Sequence, residues 1–148
     1  MRNWIRQNWV IYLPMVGIVF FIAAFFVVIV LQSRYSEIGV ADQKLVSGKV
    51  IIDKAFLTSD GFVAIHPSDA QGNLVRSSSI GHSPLESGLS FNVGIRLSQP
   101  VASGTKLFAV VHRDTGAAQR YEFSRTAPEK DPIELVRGEP VASAFSVN

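Results

Sequence analysis

Two patterns of apolar residues divide the chain. From Val10 to Leu31 the sequence VIYLPMVGIVFFIAAFFVVIVL runs for 22 residues without a charged or amide side chain. A helix of about 20 apolar residues is long enough to cross the hydrocarbon layer of a membrane, so this run predicts a transmembrane helix. From Asp42 onward the apolar runs are short and are separated by Gly, Pro, Ser and Asp, which is typical of β-strands joined by turns.

This pattern predicts four segments: a tail over 1–9, a transmembrane helix over 10–31, a juxtamembrane link over 32–41 and a β domain over 42–148. The apolar run ends in VLQSRYSE, without the small residues of a signal-peptide cleavage site, which indicates an uncleaved signal anchor. Arg2 and Arg6 precede the run, whereas Arg34 after it is soon offset by Glu37. The positive-inside rule therefore predicts a cytoplasmic N-terminus in a cell (inner) membrane and a periplasmic or extracellular β domain.

Seven strands are expected in the β domain, which predicts a mainly β fold with an immunoglobulin-like β-sandwich. The predicted strands are 48–54, 61–66, 74–79, 89–97, 106–113, 119–123 and 140–147. In LSFNVGIRL, the residues Leu89, Phe91, Val93, Ile95 and Leu97 alternate with Ser, Asn, Gly and Arg. Because side chains of a strand alternate between its two faces, we expect these five to share the buried face.

The predicted membrane helix contains no His, Asp, Glu or Lys, so nothing in it indicates a cofactor ligand or a proton path. Small residues allow close approach of helices, and bulky aromatic residues can meet lipid or a neighbouring helix. The residues expected to pack within the membrane are Gly17, Phe20, Phe21, Ala24, Phe25 and Phe26. The short link that follows predicts a β domain close to the membrane surface.

Charge and cysteine content narrow the possible partners and sites. Removing Arg2 and Arg6 from the 14 Lys and Arg residues leaves 12, which balance the 12 Asp and Glu residues. The chain has no run of basic residues, so we expect no nucleic-acid partner. It also contains no cysteine, which means that the β domain folds without disulfides and that no blue-copper site can form.

The three histidines, His66, His82 and His112, are the candidate ligands of a metal site, with Asp114 or Glu122 as a further ligand. No two of these histidines have the i, i+2 spacing that would place them side by side on one face of a strand, although His112 and Asp114 do. A His–Asp pair at the end of a strand commonly fixes a turn through a hydrogen bond. We therefore expect no bound metal and no other cofactor.

Catalytic motifs are not supported by their surroundings. The letters HRD at 112–114 also open the catalytic loop of protein kinases, but the chain has no Gly-rich loop and no Asn at the required distance. It has no G-x-S-x-G motif, and its acidic residues are scattered through polar loops. The sequence predicts a protein that is not an enzyme.

An ordered set of short motifs carries a family resemblance. A D-Q pair at 42–43 is followed by a G-F-V-x-x-H strand at 61–66, by an apolar strand that ends in H-R-D-T at 112–115, and by an aromatic pair at Tyr121 and Phe123. In this order, residues 42–147 resemble an uncharacterised extracytoplasmic β-sandwich domain of archaeal and bacterial surface or exported proteins. The resemblance implies a binding or architectural module with no assigned activity.

The resemblance also implies a structural role for the residues of the H-R-D-T motif. These residues are His112, Arg113, Asp114 and Thr115. We expect His112 to bridge to a backbone group, and Arg113 and Asp114 to pair with residues across the turn. The loop that follows is short and less acidic than is usual for the family, which weakens the case for a calcium site there.

Two functions are compatible with these features. The first, which the sequence favours, is a non-catalytic accessory subunit of a larger membrane complex, with photosynthetic or respiratory assemblies as hosts. Its helix would pack among lipid and integral membrane subunits, and its β domain would cap the outer face. The alternative is a free-standing membrane-tethered module that binds a ligand or a metal. It predicts that at least two of His66, His82 and His112 converge in a polar cleft.

Overall fold

The computed structural model describes residues 15–25 and 35–148, which belong to two compact units. Residues 15–25 form one helix, α1, whose side chains are exposed. Five of the residues predicted to pack within the membrane lie in this helix, and Phe26 lies outside the described residues. The predicted tail over 1–9 and residues 32–34 of the predicted link also lie outside them.

Among the described residues, no helix is long and apolar enough to cross a membrane. The transmembrane helix predicted over 10–31 is therefore not supported by the part of it that is described. Residues 10–14 and 26–31 of that prediction lie outside the described residues.

The second unit consists of antiparallel β-sheets, which confirms the prediction of a mainly β fold. Its strands are β1 (Glu37–Gly39), β2 (Lys49–Leu57), β3 (Gly61–Pro67), β4 (Gly81–Leu85), β5 (Gly88–Arg96), β6 (Lys106–Arg113), β7 (Leu135–Val136), β8 (Glu139–Pro140) and β9 (Ala142–Ser146). A three-stranded sheet has the order β1-β2-β5, and a four-stranded sheet has the order β4-β3-β6-β9. Strands β7 and β8 pair with each other as a short hairpin.

Five predicted strands correspond to β2, β3, β5, β6 and β9, with shifted ends in all but β6. The strand predicted over 119–123 is wrong, because this stretch is irregular. The strand predicted over 74–79 is also wrong, since it contains only an isolated bridge at Leu74. Strand β1 lies within the predicted link and pairs with β2.

Strand β4 was missed because its sequence, GHSPL, lacks an apolar alternation. It forms the edge of the four-stranded sheet and pairs only with β3. At an edge, Pro84 can occupy a strand although it has no N–H to donate.

The core lies between the two sheets, which pack face to face. Inward-facing side chains of β2 and β5 meet those of β3, β6 and β9 in one apolar cluster. The most completely buried are Val50, Ile52, Ala55, Leu57, Val63, Ile65, Ile95, Leu107, Ala109, Val111 and Phe145. This burial of apolar area is the main favourable contribution to the stability of such a domain.

Strand β5 departs from strict alternation at Asn92. This residue has a positive φ of 52°, a conformation that interrupts the pleat of an L-residue strand. Beyond it Ile95 faces the core and is 1% exposed, whereas Leu89 and Phe91 before it are 54% and 60% exposed. The predicted placement of Leu89 and Phe91 on the buried face is therefore wrong.

Residues 42–43, which follow β1, lie beside the C-terminal residues of the β domain. The backbone N–H of Gln43 donates to the Ser146 carbonyl (3.0 Å), and the N–H of Asn148 donates to the Gln43 carbonyl (2.9 Å). The Asp42 carboxylate accepts a hydrogen bond from the Ser146 N–H (2.7 Å). Residues 42–43 are thus joined to the last residues of the domain as a short parallel pair.

Candidate functional site

The two central strands of the four-stranded sheet, β3 and β6, are buried on both faces. The inner face of the sheet belongs to the core, and its outer face is covered by residues 114–134, which we call the covering segment. The buried and half-buried side chains on the outer face form a second cluster, which we call the outer layer. Its members are Phe62, Ala64, His66, Val110, His112, Tyr121 and Phe123. Strand β3 contributes to both clusters, and all of its residues except Pro67 are buried.

Two of the three histidines meet in the outer layer. His66 on β3 and His112 on β6 are both 0% exposed, and their Nε2 atoms lie 3.0 Å apart. The ring planes are within 15° of parallel and the ring centroids are 5.2 Å apart. This centroid separation is nearly the Nε2–Nε2 distance plus the two ring radii, so the imidazoles lie end to end.

Each of these two rings is also fixed by a backbone carbonyl. His66 Nδ1 donates to the Val75 carbonyl oxygen at 2.9 Å, and His112 Nδ1 donates to the Asp131 carbonyl oxygen at 2.6 Å. Val75 lies in the loop that follows β3, and Asp131 lies in the covering segment. The pair therefore connects two loops that are distant in sequence.

Asp131 holds the covering segment against the end of β6. It is 0% exposed, and its carboxylate accepts hydrogen bonds from the backbone N–H groups of Thr115, Gly116 and Glu122. Its own N–H donates to the Thr115 hydroxyl at 3.2 Å. Asp131 also has a positive φ of 48°, a conformation that Asp and Asn adopt more readily than most residues.

The other residues of the H-R-D-T motif make backbone contacts around the same turn. The Arg113 N–H donates to the Pro132 carbonyl at 3.0 Å, and the Asp114 carboxylate accepts from the Gln119 N–H at 2.7 Å. Gly61 allows the close approach of β3 here, because a Cβ at this position would clash with the His112 carbonyl oxygen. The motif thus stabilises the turn where β6 ends.

Aromatic rings of the covering segment pack on the two histidines. The Phe123 ring lies edge-on to His112 with centroids 4.7 Å apart, and the Tyr121 ring lies 5.4 Å from the same imidazole. The exposed ring of His82 stacks on Tyr121 at 4.3 Å. The Tyr121 hydroxyl donates to Ser79 Oγ at 3.1 Å. The aromatic residues thereby exclude water from the histidine pair.

Burial changes the protonation of the outer layer. Desolvation lowers the pKa of His112 to about 4 and also lowers the pKa of His66, because the charged imidazolium loses its hydration. The hydrogen bonds to the Asp131 and Val75 carbonyls act in the opposite direction. Desolvation also lowers the pKa of His82 and raises the pKa of Tyr121 to about 12.

The residues considered as metal ligands are engaged in other contacts. His82 lies at the outer edge of the layer, and the carboxylates of Asp114 and Glu122 accept backbone hydrogen bonds. Within residues 15–25 and 35–148, no group of three or more His, Cys, Asp or Glu side chains has a geometry that could hold a metal ion. His66 and His112 do converge, but in a sealed layer and not in a polar cleft.

A second buried carboxylate lies on the side of β1. Glu134 is 5% exposed, and its Oε2 accepts a hydrogen bond from the Ser36 hydroxyl at 2.9 Å. The Ser36 hydroxyl oxygen in turn accepts from the Thr58 N–H at 3.0 Å. In the described part of the chain, every buried side-chain N or O atom has a hydrogen-bond partner, which is the usual condition of a structural polar group.

Sequence reasoning did not identify the role of Asp131, and it anticipated a meeting of two histidines only for the alternative function, in a polar cleft. A signal for the histidines was available: His66 continues the alternation of Phe62 and Ala64, and His112 continues that of Phe108 and Val110. This spacing indicates a second buried face on each strand. The register that brings the two strands together could not be derived from it.

Comparison with known proteins identifies relatives of the β domain. Residues 36–148 match a family described as a domain of unknown function, DUF7282. Cell surface glycoprotein 2 of Haloarcula hispanica is 31% identical over 94 residues, which are 64% of this chain and 10% of that protein. Cell surface glycoprotein 1 of the same organism is 26% identical over 118 residues, which are 80% of this chain and 12% of that protein. No solved structure matches the chain.

The chain therefore spans only about a tenth of the length of these curated relatives. The part of the resemblance that named archaeal surface proteins is confirmed. The expected role as an accessory subunit of a photosynthetic or respiratory membrane complex is wrong, because the relatives are cell surface glycoproteins. Roles in photosynthesis and electron transport have no support from them.

Proposed function

The chain belongs to the DUF7282 family, and we propose from this premise that its β domain is a non-catalytic module on the outside of the cell. The observation that carries the proposal is the similarity of the domain to two cell surface glycoproteins. In those much longer proteins the matched region is one part among others. A module of this kind contributes a stable folded unit to a surface protein and needs no chemistry of its own.

The contacts of the polar residues support a structural role. The buried carboxylates of Asp131 and Glu134 bind backbone N–H groups and hydroxyls of their own domain. The carboxylate of Asp114 is likewise occupied by a backbone N–H at the turn. Side chains that are fully used in this way stabilise loops, whereas a catalytic group needs access to a substrate.

The absence of cysteine also fits a domain that is stable through packing alone. The chain contains no cysteine, so its stability does not depend on the redox state of its surroundings. The core between the sheets and the outer layer together bury both faces of β3 and β6. Two buried layers are a substitute for the disulfides that many small exported domains need.

The apolar segment 10–31 is a candidate means of attachment to the membrane. We propose that the apolar segment 10–31 associates with the cell membrane and keeps the β domain at its outer surface. The support comes from the 22 residues without charge or amide and from the exposed apolar side chains of α1. The two arginines that precede the segment favour a cytoplasmic N-terminus.

Cysteine labelling in intact cells tests the location. A single cysteine is introduced as Ser103→Cys, at an exposed turn before β6, and the full chain is treated with a membrane-impermeant maleimide. The proposal predicts labelling without lysis. Labelling that requires lysis would contradict it. Ala109→Cys, at a position that is 0% exposed, is the matched control and should react only after denaturation.

A further variant tests the attachment. Asn3→Cys should react with the impermeant maleimide only after the cells are permeabilised, if the N-terminus is cytoplasmic. Fractionation of the same cells should place the chain with the membranes after an alkaline wash. Recovery of the chain in the wash would show that segment 10–31 does not hold it there.

A further inference from the structure

The histidine pair makes three ring contacts that require a hydrogen atom. His66 Nδ1 and His112 Nδ1 each face a backbone carbonyl oxygen, at 2.9 Å and 2.6 Å, and their two Nε2 atoms face each other at 3.0 Å. A carbonyl oxygen only accepts hydrogen bonds, so both Nδ1 atoms carry a hydrogen. Two neutral imidazoles have one N–H each, and both are used on the carbonyls. The Nε2 contact would then set two lone pairs against each other.

The register of the sheet explains why the rings meet end to end. His66 pairs with Phe108, and His112 pairs with Phe62, so the two histidines are four residues apart along the ladder. At about 3.3 Å per residue this is about 13 Å. Ala64 and Val110 pair with each other between them. Each imidazole therefore extends along its strand toward the other, and the Nε2 atoms meet head-on.

This geometry fits a proton and does not fit a metal ion. Ligands of one zinc ion place their nitrogens about 2.0–2.1 Å from it. Between two rings that lie end to end, the midpoint is only about 1.5 Å from each Nε2, half of the 3.0 Å separation. A separation of 3.0 Å lies within the range of a hydrogen bond between heavy atoms.

We propose that His66 and His112 form a proton-binding site, in which one excess proton is held between the two Nε2 atoms as an N–H···N hydrogen bond. His112 is the donor, because its 2.6 Å contact with the Asp131 carbonyl has the length of a charge-assisted hydrogen bond. His66 is the neutral acceptor. The pair then carries three N–H groups and one positive charge, and all three ring contacts are satisfied.

The groups around the pair act on this charge in both directions. The Asp131 carboxylate of the covering segment favours the cation on His112, whereas His66 and His82 disfavour it. In the covering segment Tyr121 stays neutral, because burial raises its pKa to about 12, and the Glu122 carboxylate is paired with Lys130. Arg76, beside Val75, is exposed, and β9 has no titratable side chain.

Burial opposes the extra proton, and hydrogen bonding favours it. Desolvation lowers the pKa of both imidazoles, that of His112 to about 4. The N–H···N bond acts in the opposite direction, since it exists only when one of the two rings is protonated, and its loss would leave two lone pairs in contact inside a sealed layer. An unsatisfied buried polar contact of this kind is costly.

The shared proton completes a line of hydrogen bonds across the sheet. The line runs from the Val75 carbonyl through His66 and His112 to the Asp131 carbonyl. Loss of the shared proton breaks the hydrogen bond between the two Nε2 atoms. The attachment of the covering segment is then weaker. This proton-binding site depends only on the fold of the domain, so its test is independent of the proposed surface location.

The sign of the pH dependence follows from the proton count. The proposal requires that the N–H···N hydrogen bond outweigh the desolvation that lowers both pKa values, so that the folded pKa of the shared proton lies above the value of about 6.5 for a free histidine. The stability that this proton contributes is then present below about pH 6.5 and is lost as the pH rises through the folded pKa. A fourth proton, added to the three that the pair then carries, would place two N–H groups face to face. The pKa at which it binds is therefore depressed, so the free energy of unfolding also decreases in acid. Without the shared proton, only the loss in acid would remain.

The first experiment counts the protons directly. Nitrogen-15 NMR of the histidine side chains in the full-length chain, in detergent micelles at about pH 7, distinguishes protonated from unprotonated ring nitrogens. The proposal predicts three protonated nitrogens in the His66–His112 pair and a scalar coupling between the two Nε2 nuclei. Two unprotonated Nε2 atoms would overturn it. So would a zinc or copper ion that co-purifies and shifts both Nε2 signals.

The second experiment measures urea unfolding of the full chain between about pH 6 and pH 9. For each unit by which the folded pKa exceeds about 6.5, the folding equilibrium constant should fall tenfold over the alkaline range. Tyr121 stays neutral over this pH range, because burial raises its pKa to about 12. His66→Gln should remove the alkaline decrease, whereas His82→Gln, a histidine outside the pair, should retain it. A wild-type chain without the decrease would overturn the proposal even if no variant folds.

Discussion

The core between the sheets and the outer layer are built on the same strands but held together differently. On β3, Val63 and Ile65 face the core, and Phe62, Ala64 and His66 face the outer layer, all at most 1% exposed. The core is aliphatic and gains its stability from the apolar area that it buries, which has no directional requirement. The outer layer contains two imidazoles and is bounded by a carboxylate, and each of these needs a particular partner.

The difference shows where this domain tolerates change. An apolar core accepts substitutions of similar volume with moderate loss. A buried polar group that loses its partner keeps its desolvation cost without compensation. We therefore expect substitutions in the core to lower the free energy of unfolding by an amount that depends on the volume removed and is the same at every pH. Substitutions in the outer layer should lower it by an amount that depends on the hydrogen bonds lost and varies with pH.

The largest effect is expected in the core, where two neighbouring isoleucines provide a matched pair. Ile52→Ala removes a side chain that is 0% exposed and should lower the free energy of unfolding by about 2–5 kcal/mol. Ile51→Ala, at a position that is 39% exposed on the opposite face, should cost less than about 1 kcal/mol. Urea unfolding at two pH values measures both. Equal losses, or a loss for Ile52→Ala that varies with pH, would contradict the description of the core.

A slightly smaller effect is expected at Asp131, where the loss should be local. Asp131→Ala leaves the N–H groups of Thr115, Gly116 and Glu122 without their acceptor and places Ala at a positive φ. It should cost about 2–4 kcal/mol. Limited trypsin digestion should then cleave the covering segment first, at Arg120 or Arg125.

Asp131→Asn is the matched control for this loss. It retains a side-chain oxygen and tolerates the positive φ, so it should protect the covering segment better than Asp131→Ala does. If neither variant is cleaved earlier than the wild-type chain, Asp131 does not hold the segment in place.

A moderate effect is expected at the rim of the outer layer. Tyr121→Phe removes the hydroxyl that donates to Ser79 but keeps the ring on His112. Loss of one neutral, partly buried hydrogen bond should cost about 0.5–1.5 kcal/mol. Thermal unfolding compares it with Tyr121→Leu, which also removes the ring. If the two variants lose the same stability, the ring contacts contribute little to the layer.

The smallest effect is expected at the break in β5. Asn92→Ala replaces a residue that adopts the left-handed region readily with one that does not, and should cost about 1 kcal/mol, whereas Asn92→Gly should be nearly neutral. Urea unfolding of the two variants gives the difference directly. A stable Asn92→Ala variant in which Phe91 becomes protected from solvent would show that β5 can return to strict alternation.

The sequence allowed the core to be predicted better than the outer layer. Short apolar runs over 61–66 and 106–113, bounded by turn residues, located β3 and β6, and the rule of alternation correctly placed Ile95 of β5 on the core face. The same rule failed at Leu89 and Phe91, where a positive φ at Asn92 changes the face. Nothing in the residue letters required that φ, since Asn also occupies ordinary strand positions.

The site was less accessible to sequence reasoning because its contacts are tertiary. The meeting of His66 with His112 depends on the register between two strands that are forty residues apart in the chain. The covering segment has no periodic pattern, so the strand predicted over 119–123 had only its aromatic residues for support. Those residues, Tyr121 and Phe123, are half-buried, but they reach the sheet from an irregular segment.

The junction between residues 42–43 and the C-terminal residues of the β domain has a mechanical consequence. Residues 42–43 and 146–148 run parallel and are linked by three hydrogen bonds. A force that pulls residue 42 away from residue 148 along the strand direction loads these bonds together, in shear, and does not open them one after another. Since many weak bonds loaded at once resist more force than the same bonds opened in sequence, this junction resists tension applied between residues 42 and 148.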